Sequence, residues 1–251
     1  MQSPRPNDPQ IRWLLKDKYH ILDIQNFTSS PEISEDIRLL KLGYPVDYLI
    51  GWTTFLGCHI DLSLKPLIPR PETEFWTNKV IQKYNKNSPL RVLDLCCGSG
   101  CIGLAVLKKI PSATVDFADI SQEALTQTGL NLKLNQIHQI RYRLFRSDLF
   151  TSLPSKKYDL ILSNPPYVDP EGEYEPSIKF EPAEALFAPD HGLFFIKTIL
   201  DSAPQHLTAH GSLYLEFAFG QKKLISQHYP KKNIHFHLDQ YALFRFLDLT
   251  V

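Results

Sequence analysis

Apolar positions follow two regimes along the chain. Up to Gly51 they recur at helical spacing. Ile11, Leu14 and Leu15 form one short stripe, and Ile33, Ile37, Leu40 and Leu42 form another, closed by Gly43 and Pro45. "WTTFLGCHIDLS" then holds two short β-prone runs around Leu56-Gly57, the pattern of a hairpin. The proline-punctuated stretch "KPLIPRPETE" leads into a helix from Glu72 to about Tyr84, with acidic residues in its first turn where the helix dipole favours them.

From Leu90 the pattern alternates between strand and helix. The predicted strands are Arg91–Leu95, Thr114–Ala118, Tyr142–Arg146, Tyr158–Ser163, Ser212–Phe217, Ile234–Leu238 and Leu243–Leu247. Predicted helices fall near Gly100–Lys109, Gln122–Leu134, Leu193–Gln205 and Lys222–His228. Such alternation implies an α/β fold, a Rossmann-like, mostly parallel sheet of seven strands with helices on both faces. The last two strands are only a few residues apart, so they should close the sheet as an antiparallel hairpin. The expected organisation is a short helical N-terminal region over 1–51, a β-hairpin linker over 52–71 and an α/β domain over 72–251. There are no internal repeats or low-complexity segments.

Composition removes several function classes. Of 251 residues 43% are apolar and 22% charged, the balance of a globular protein, and 27 basic side chains offset 27 acidic ones. A formal charge of zero gives no global reason to bind nucleic acid or an anionic membrane. No apolar run approaches the ~20 residues of a membrane span. The start, "MQSPRPNDPQ", lacks the apolar core of a secretion signal, so the expected location is cytoplasmic. Four cysteines fit a reducing compartment: Cys96 and Cys97 are adjacent, Cys101 follows one helical turn later, and Cys58 is alone. A zinc site needs paired Cys or Cys/His spacings, which are missing, so no metal is predicted. His235 and His237 would share one strand face without evident partner ligands, and read as surface histidines.

"VLDLCCGSGCIGLAVL" runs strand, glycine turn, helix. Gly98 and Gly100 allow a sharp turn and close approach to a ligand, and the helix N-terminus offers unpaired N–H groups. It is not a dinucleotide fingerprint, since Cys96 stands where a first glycine would be. About twenty residues on, "VDFADIS" puts Asp119 at a strand end, where a carboxylate suits two ribose hydroxyls. "RSDLF" puts Asp148 at the next strand end, placed to accept a bond from an adenine amine. Each aspartate alone could be a solvated strand end or a helix cap. Together with Asn164 they sit at successive strand ends, which points to one nucleoside pocket. "LSNPPY", Leu162 to Tyr167, follows another buried strand and projects an amide and a phenol from a stiff loop.

At these residues the chain resembles the S-adenosylmethionine-dependent amino-methyltransferases of class I, whose Asn-Pro-Pro-Tyr signature marks methylation of a planar NH₂ conjugated to a π-system. The resemblance implies that the Asn164 side-chain oxygen and the Pro165 carbonyl each accept one N–H, aligning a poorly nucleophilic nitrogen. Such acceptors also stabilise the positive charge that grows as the nitrogen becomes tetrahedral. Tyr167 would stack on the flat substrate group.

Flanking segments narrow the substrate. "YPVDYLIG" (Tyr44–Gly51), "FLGCHIDL" (Phe55–Leu62), "LIPRPETE" (Leu67–Glu74), "KFEPAEAL" (Lys179–Leu186), "DHGL" (Asp190–Leu193) and "LYLEFAFGQ" (Leu213–Gln221) are similar to the glutamine methyltransferases of peptide-chain release factors. The resemblance implies S-adenosylmethionine contacts at Leu67, Cys96, Cys97, Gly98, Gly100, Asp119, Ile120, Asp148, Leu149 and Asn164. It implies a substrate grip by Asn164, Pro165, Pro166 and Tyr167, with Arg70 and Glu181 shaping the rim unless they are only a structural ion pair. The implied partner is a release factor, methylated on the glutamine of its Gly-Gly-Gln loop. An adenine or guanine methyltransferase is the alternative, but it would want a basic face or a target-recognition domain. A non-catalytic module would show a damaged site. The chain departs from the family in three places: Cys96 and Cys97 replace a glycine and a threonine-like residue, only about fifty residues precede the hairpin, and "DQYALFRFL" lacks a glycine turn. The short N-terminal region implies weaker docking of the release factor.

Overall fold

The structure is a computed structural model that describes residues 8–23, 29–174 and 176–250. Most of the opening decapeptide, from which the lack of a secretion signal was read, lies outside the described residues. So do residues 24–28 of the predicted helical region.

The first helix, α1 (Pro9–Trp13), is capped by Asp8, whose carboxylate accepts the Gln10 N–H at 2.9 Å, and it runs on into a wider turn over Leu14–Lys18. Ser30 and Pro31 start α2 (Pro31–Lys41) in the same way. The sequence pattern does not predict a further helix, α3 (Val46–Ile50): Pro45 reads as a stop, but it is the N-cap of this next helix. Ile11, Leu14, Leu15, Ile33, Ile37, Leu40, Val46 and Leu49 bury one another in a separate apolar cluster. Leu42 does not belong to that stripe. It is the C-cap of α2 and is 57% exposed.

Strands β1 (Trp52–Phe55) and β2 (Cys58–Asp61) form the hairpin, with Leu56 and Gly57 both at positive φ as a tight primed turn requires. Then follow α4 (Pro71–Ile81), β3 (Leu90–Leu95), α5 (Cys101–Lys109), β4 (Ala113–Asp119), α6 (Gln122–Leu134), β5 (Tyr142–Arg146) and β6 (Tyr158–Ser163). After the short α7 (Ala183–Leu186) come α8 (Phe194–His206), β7 (Leu207–Glu216), α9 (Lys222–His228), β8 (Ile234–Leu238) and β9 (Phe244–Thr250). Helix α4 ends three residues before the predicted Tyr84, β7 starts five before Ser212, and β9 runs three beyond Leu247.

The large sheet has the order β5-β4-β3-β6-β7-β9-β8, parallel except for β9, which is antiparallel to both of its neighbours. Alternation along the strands fills two cores. Val92, Val115, Leu160 and Leu162 face α4, α5 and the hairpin, whereas Leu93, Leu95, Ile161, Leu213 and Leu215 face α8 and α9. From β3 the chain winds outward to β5, then returns to β6 on the other side. That reversal leaves a crevice at the carboxyl ends of β3 and β6.

The hairpin is pinned by a side-chain ladder on α6. Gln127, Asn131 and Asn135, spaced by one helical turn, accept the backbone N–H groups of Leu64, Asp61 and His59 at 2.9, 2.8 and 3.0 Å. Asn131 and Asn135 also donate back to the Asp61 and His59 carbonyls. Four residues of helix rise ~6.0 Å and two of strand ~6.6 Å, so Asn131 and Asn135 keep step with Asp61 and His59 on the β2 edge, while Gln127 holds Leu64 just beyond it.

Candidate active site

A cavity of about 540 Å³ lies in that crevice, within the usual ~300–1,000 Å³ of small-molecule sites. Its floor is the turn after β3. Cys96, Gly98 and Gly100 have φ of 58, 54 and 76°, so alternate residues are left-handed and the chain curls back under the sheet end. A Cβ on Gly98 would meet no protein atom within 4 Å, and the space beside it belongs to the cavity. Gly100 has a different reason. It is not on the cavity wall, and a Cβ there would come within 2.7 Å of Thr128 on α6. Cys96 carries its Cβ in the strained region and lines the cavity, while Cys97 is buried with its Sγ 3.6 Å from the Thr128 hydroxyl. Burial pushes both thiols far up, which disfavours the thiolate form.

Asp119 closes the turn from β4. Its two carboxylate oxygens each accept a backbone N–H at 2.9 Å, from Gly98 and from Ser121. Burial holds its carboxyl above the ordinary range, against the pull of the Gly98, Ser121 and Ile120 N–H groups. Ile120, Asp148 and Leu149 lie beside it on the wall, with Glu123 and Glu184 adding further carboxylates. Leu67 and Arg70 come from the stretch before α4. Glu181 ties that stretch down: it accepts the Ile68 N–H at 3.0 Å and Arg70 Nη2 at 2.5 Å. Glu181 itself is buried off the wall, so it holds the rim from behind. Tyr48 of α3 donates to the Pro66 carbonyl at 2.7 Å, which gives "YPVDYLIG" a part in the same wall.

Asn164 and Pro166 line the cavity beside the glycine turn; Pro165 and Tyr167 do not reach its wall. Ser163 pairs with Leu95 across β6 and β3, and its hydroxyl donates to the Leu95 carbonyl at 2.8 Å, which brings the two loops together. Gln221 clamps the loop from the rear, donating to the Tyr167 and His191 carbonyls at 3.0 Å each. Gly192 packs so closely that a Cβ would fall 2.1 Å from the Tyr167 carbonyl oxygen. These contacts are what "DHGL" and the Gln221 turn contribute.

Four further residues were not assigned from sequence. Glu216, at the end of β7, accepts Thr73 Oγ1 at 2.7 Å, Trp76 Nε1 at 2.6 Å and the Tyr167 hydroxyl at 2.8 Å. Thr73 in turn lies 3.2 Å from Asn164 Nδ2. The readable signal was a carboxylate inside the apolar run "LYLEFAF", since a charge in a buried strand must be paired. Gln221 gave no such signal. The histidine pair also has a partner: His235 and His237 both bond to Asp248, at 3.1 and 2.5 Å, on the far β8–β9 hairpin.

The cavity residues fit S-adenosylmethionine. Gly98 leaves free space, Asp119 offers a partly desolvated carboxylate, and the carboxylates of Asp119, Glu123, Asp148 and Glu184 suit a ligand with cationic centres. The sequence profile of the methyltransferase small domain matches residues 74–180. A ribosomal protein L11 methylase from Lactobacillus delbrueckii subsp. bulgaricus superimposes with a TM-score of 0.53 at 21% identity, over 74% of this chain and 79% of that one, a likeness of fold alone. The ribosomal protein uL3 glutamine methyltransferase of Francisella tularensis is 37% identical over 72% of this chain and 59% of its own. The release factor glutamine methyltransferase of Streptococcus pneumoniae is 40% identical over 83% of this chain and 76% of its own. Identity of that order across most of both chains exceeds what a shared fold brings, and the chain belongs to the release factor glutamine methyltransferase family.

Proposed function

We propose that the protein transfers a methyl group from S-adenosylmethionine to the side-chain amide nitrogen of the glutamine in the Gly-Gly-Gln loop of a peptide-chain release factor. The observation that carries this is Asn164 on the cavity wall, one residue beyond the Leu95–Ser163 register pair and so beside the glycine turn. When bound, S-adenosylmethionine supplies an electrophilic methyl group on a sulfonium. Leu67, Cys96, Cys97, Gly98, Asp119, Ile120, Asp148, Leu149 and Asn164 would hold it, with Gly100 shaping the turn. Asn164 Oδ1, on the wall, and the Pro165 carbonyl, which the motif resemblance adds from just behind it, would accept the two amide N–H bonds, orient the nitrogen and bear its developing positive charge. Pro166 stiffens the loop. Tyr167 belongs to the same gripping set by the motif resemblance; Glu216 anchors its hydroxyl, and its ring packs against the core beside α8 and α9 rather than lining the cavity. Arg70, held by Glu181, stands at the rim. No strong base is required, since the amide proton can leave after transfer.

The division into 1–51, 52–71 and 72–251 is part of the proposal, supported by the separate apolar cluster of the first helices and by the profile match beginning at residue 74. Among the described residues no helix is long and apolar enough to cross a membrane. We place the protein in the cytoplasm because four unpaired thiols suit a reducing compartment. The uL3 enzyme from Francisella tularensis keeps a second reading open, the same amide chemistry on a ribosomal protein.

The test is incubation with S-adenosylmethionine and, in parallel, a release factor, ribosomal protein uL3 and tRNA, followed by mass spectrometry. One added methyl on the Gly-Gly-Gln glutamine is the expected result. An unmodified release factor beside methylated uL3 would move the assignment to that acceptor, and methylated tRNA alone would overturn the glutamine chemistry.

A further inference from the structure

Behind Asn164 a set of hydrogen bonds converges on one buried carboxylate. Glu216 is 1% exposed and Thr73 2% exposed. Glu216 Oε2 receives both Thr73 Oγ1 and Trp76 Nε1, while Oε1 receives the Tyr167 hydroxyl. Chemistry fixes the direction of each bond. An indole N–H only donates, so Oε2 is an acceptor. With Glu216 ionised, Oε2 can only accept, so it takes the single proton of Thr73 and leaves only lone pairs on the Thr73 oxygen. Those lone pairs face the Asn164 amide at 3.2 Å, so the Asn164 NH₂ turns toward Thr73 and its oxygen turns away.

We infer that Thr73 and Glu216 are positioning residues that hold the Asn164 side-chain oxygen toward the cavity, where it accepts an incoming amide N–H. The inference rests on the glutamine-methylation reading. Without the relay, the Asn164 amide has two orientations that differ by a half-turn, and the wrong one sets NH₂ against NH₂. Burial pushes the Glu216 carboxyl up, against the pull of Trp76, Thr73, Tyr167 and Arg245. The relay belongs to the ionised carboxylate: a proton on Oε1 reverses only the Tyr167 bond, whereas one on Oε2 reverses the Thr73 bond. The carboxylate thus orders both ends of the Asn-Pro-Pro-Tyr loop.

Thr73→Val keeps the shape and removes the hydroxyl. The expected result is an unchanged Kd for S-adenosylmethionine and a kcat about tenfold lower, the worth of about one hydrogen bond. Thr73→Ser restores the rate. In an Asn164→Ala background Thr73→Val has no further effect, because Thr73 acts through Asn164. A second readout needs no substrate: in ¹⁵N-asparagine-labelled protein, the side-chain NH₂ signals lost in Asn164→Ala exchange slowly with water in the wild type and quickly in Thr73→Val. Additive rate losses in the double variant, or unchanged exchange in Thr73→Val, would overturn the relay. A wild-type enzyme that leaves Gly-Gly-Gln peptide unmethylated counts against the functional reading instead, and the exchange measurement still decides the relay.

Discussion

Replacing Asp119 by alanine tests the cofactor site at its most polar point. The carboxylate does two jobs. It receives the Gly98 and Ser121 N–H groups at 2.9 Å each, which fixes the turn, and it faces the cavity with its remaining lone pairs. Alanine leaves two backbone donors without their partner, and water reaches them only in part. That loss is worth about 2 kcal/mol, or a fall in Tm of roughly 4–8 °C for a chain of this size. On the proposed reading, ribose hydroxyls would lose a charge-assisted acceptor as well. At about 1.5–3 kcal/mol, S-adenosylmethionine should bind roughly tenfold to a hundredfold more weakly by calorimetry.

A ligand lacking the ribose hydroxyls separates the two jobs. If Asp119 binds those hydroxyls, the deoxy ligand binds the wild type and Asp119→Ala with similar Kd, since the contact is already missing. A Kd for the natural ligand within twofold of wild type would remove Asp119 from the site. Equal losses for both ligands would reduce it to a brace for the turn. The pH dependence has a definite sign. The folded carboxyl binds its proton above the ordinary 3.8, so ligand affinity should decline on acidification at a higher pH than a solvated aspartate would give. Between the unfolded and folded values the folded state holds the extra proton, so Asp119 makes the protein less stable as pH rises through that window.

Two stability predictions follow from the scaffold. Asn131→Ala removes the partner of the Asp61 N–H, the Asp61 carbonyl and the Ser99 carbonyl at a position with no exposure, which should cost about 3 kcal/mol and lower Tm by roughly 6–12 °C; a loss under about 1 kcal/mol in urea unfolding would show that the ladder is incidental. Ala242 has a φ of 60° in the turn before β9, so Ala242→Gly should gain about 1 kcal/mol and roughly 2–4 °C in Tm, and an unchanged or lower melting point would refute the strain.

The same turn shows what sequence reading reached. The missing glycine before β9 was visible, but its remedy was not: Asp239 accepts the Tyr241 and Leu243 N–H groups and Arg245 Nε, holding a left-handed alanine in place. Strands β5 and β6 and helices α6 and α9 were legible to the residue, because their apolar runs end at clear breakers. Helix α3 was not, because a proline that stops one helix also caps the next. Leu42 keeps the helical spacing although α2 has already ended, so periodicity alone places it on the buried stripe. Gly98 and Gly100 read alike in sequence, yet one opens the cavity and the other admits Thr128. Glu181 is legible as a rim residue, but its place behind the wall depends on the fold that brings it to Ile68 and Arg70.

Sheet register is what turns separate motifs into one site. Leu95 pairs with Ser163, and Ser163 with Leu215, so Cys96, Asn164 and Glu216 are the next residues on three adjacent strands about 4.8 Å apart. Parity decides which way they point. Leu160 and Leu162 on β6 and Tyr214 on β7 face the core beneath α4, so the residues two further on, Asn164 and Glu216, face α4 as well. Thr73 and Trp76 on that helix then meet Glu216, and Thr73 meets Asn164. A slip of one residue in β7 would turn Glu216 toward α8 and α9, burying a carboxylate among aliphatic side chains at a cost of several kcal/mol. The buried charge that orders the active loop therefore also selects the register that builds it.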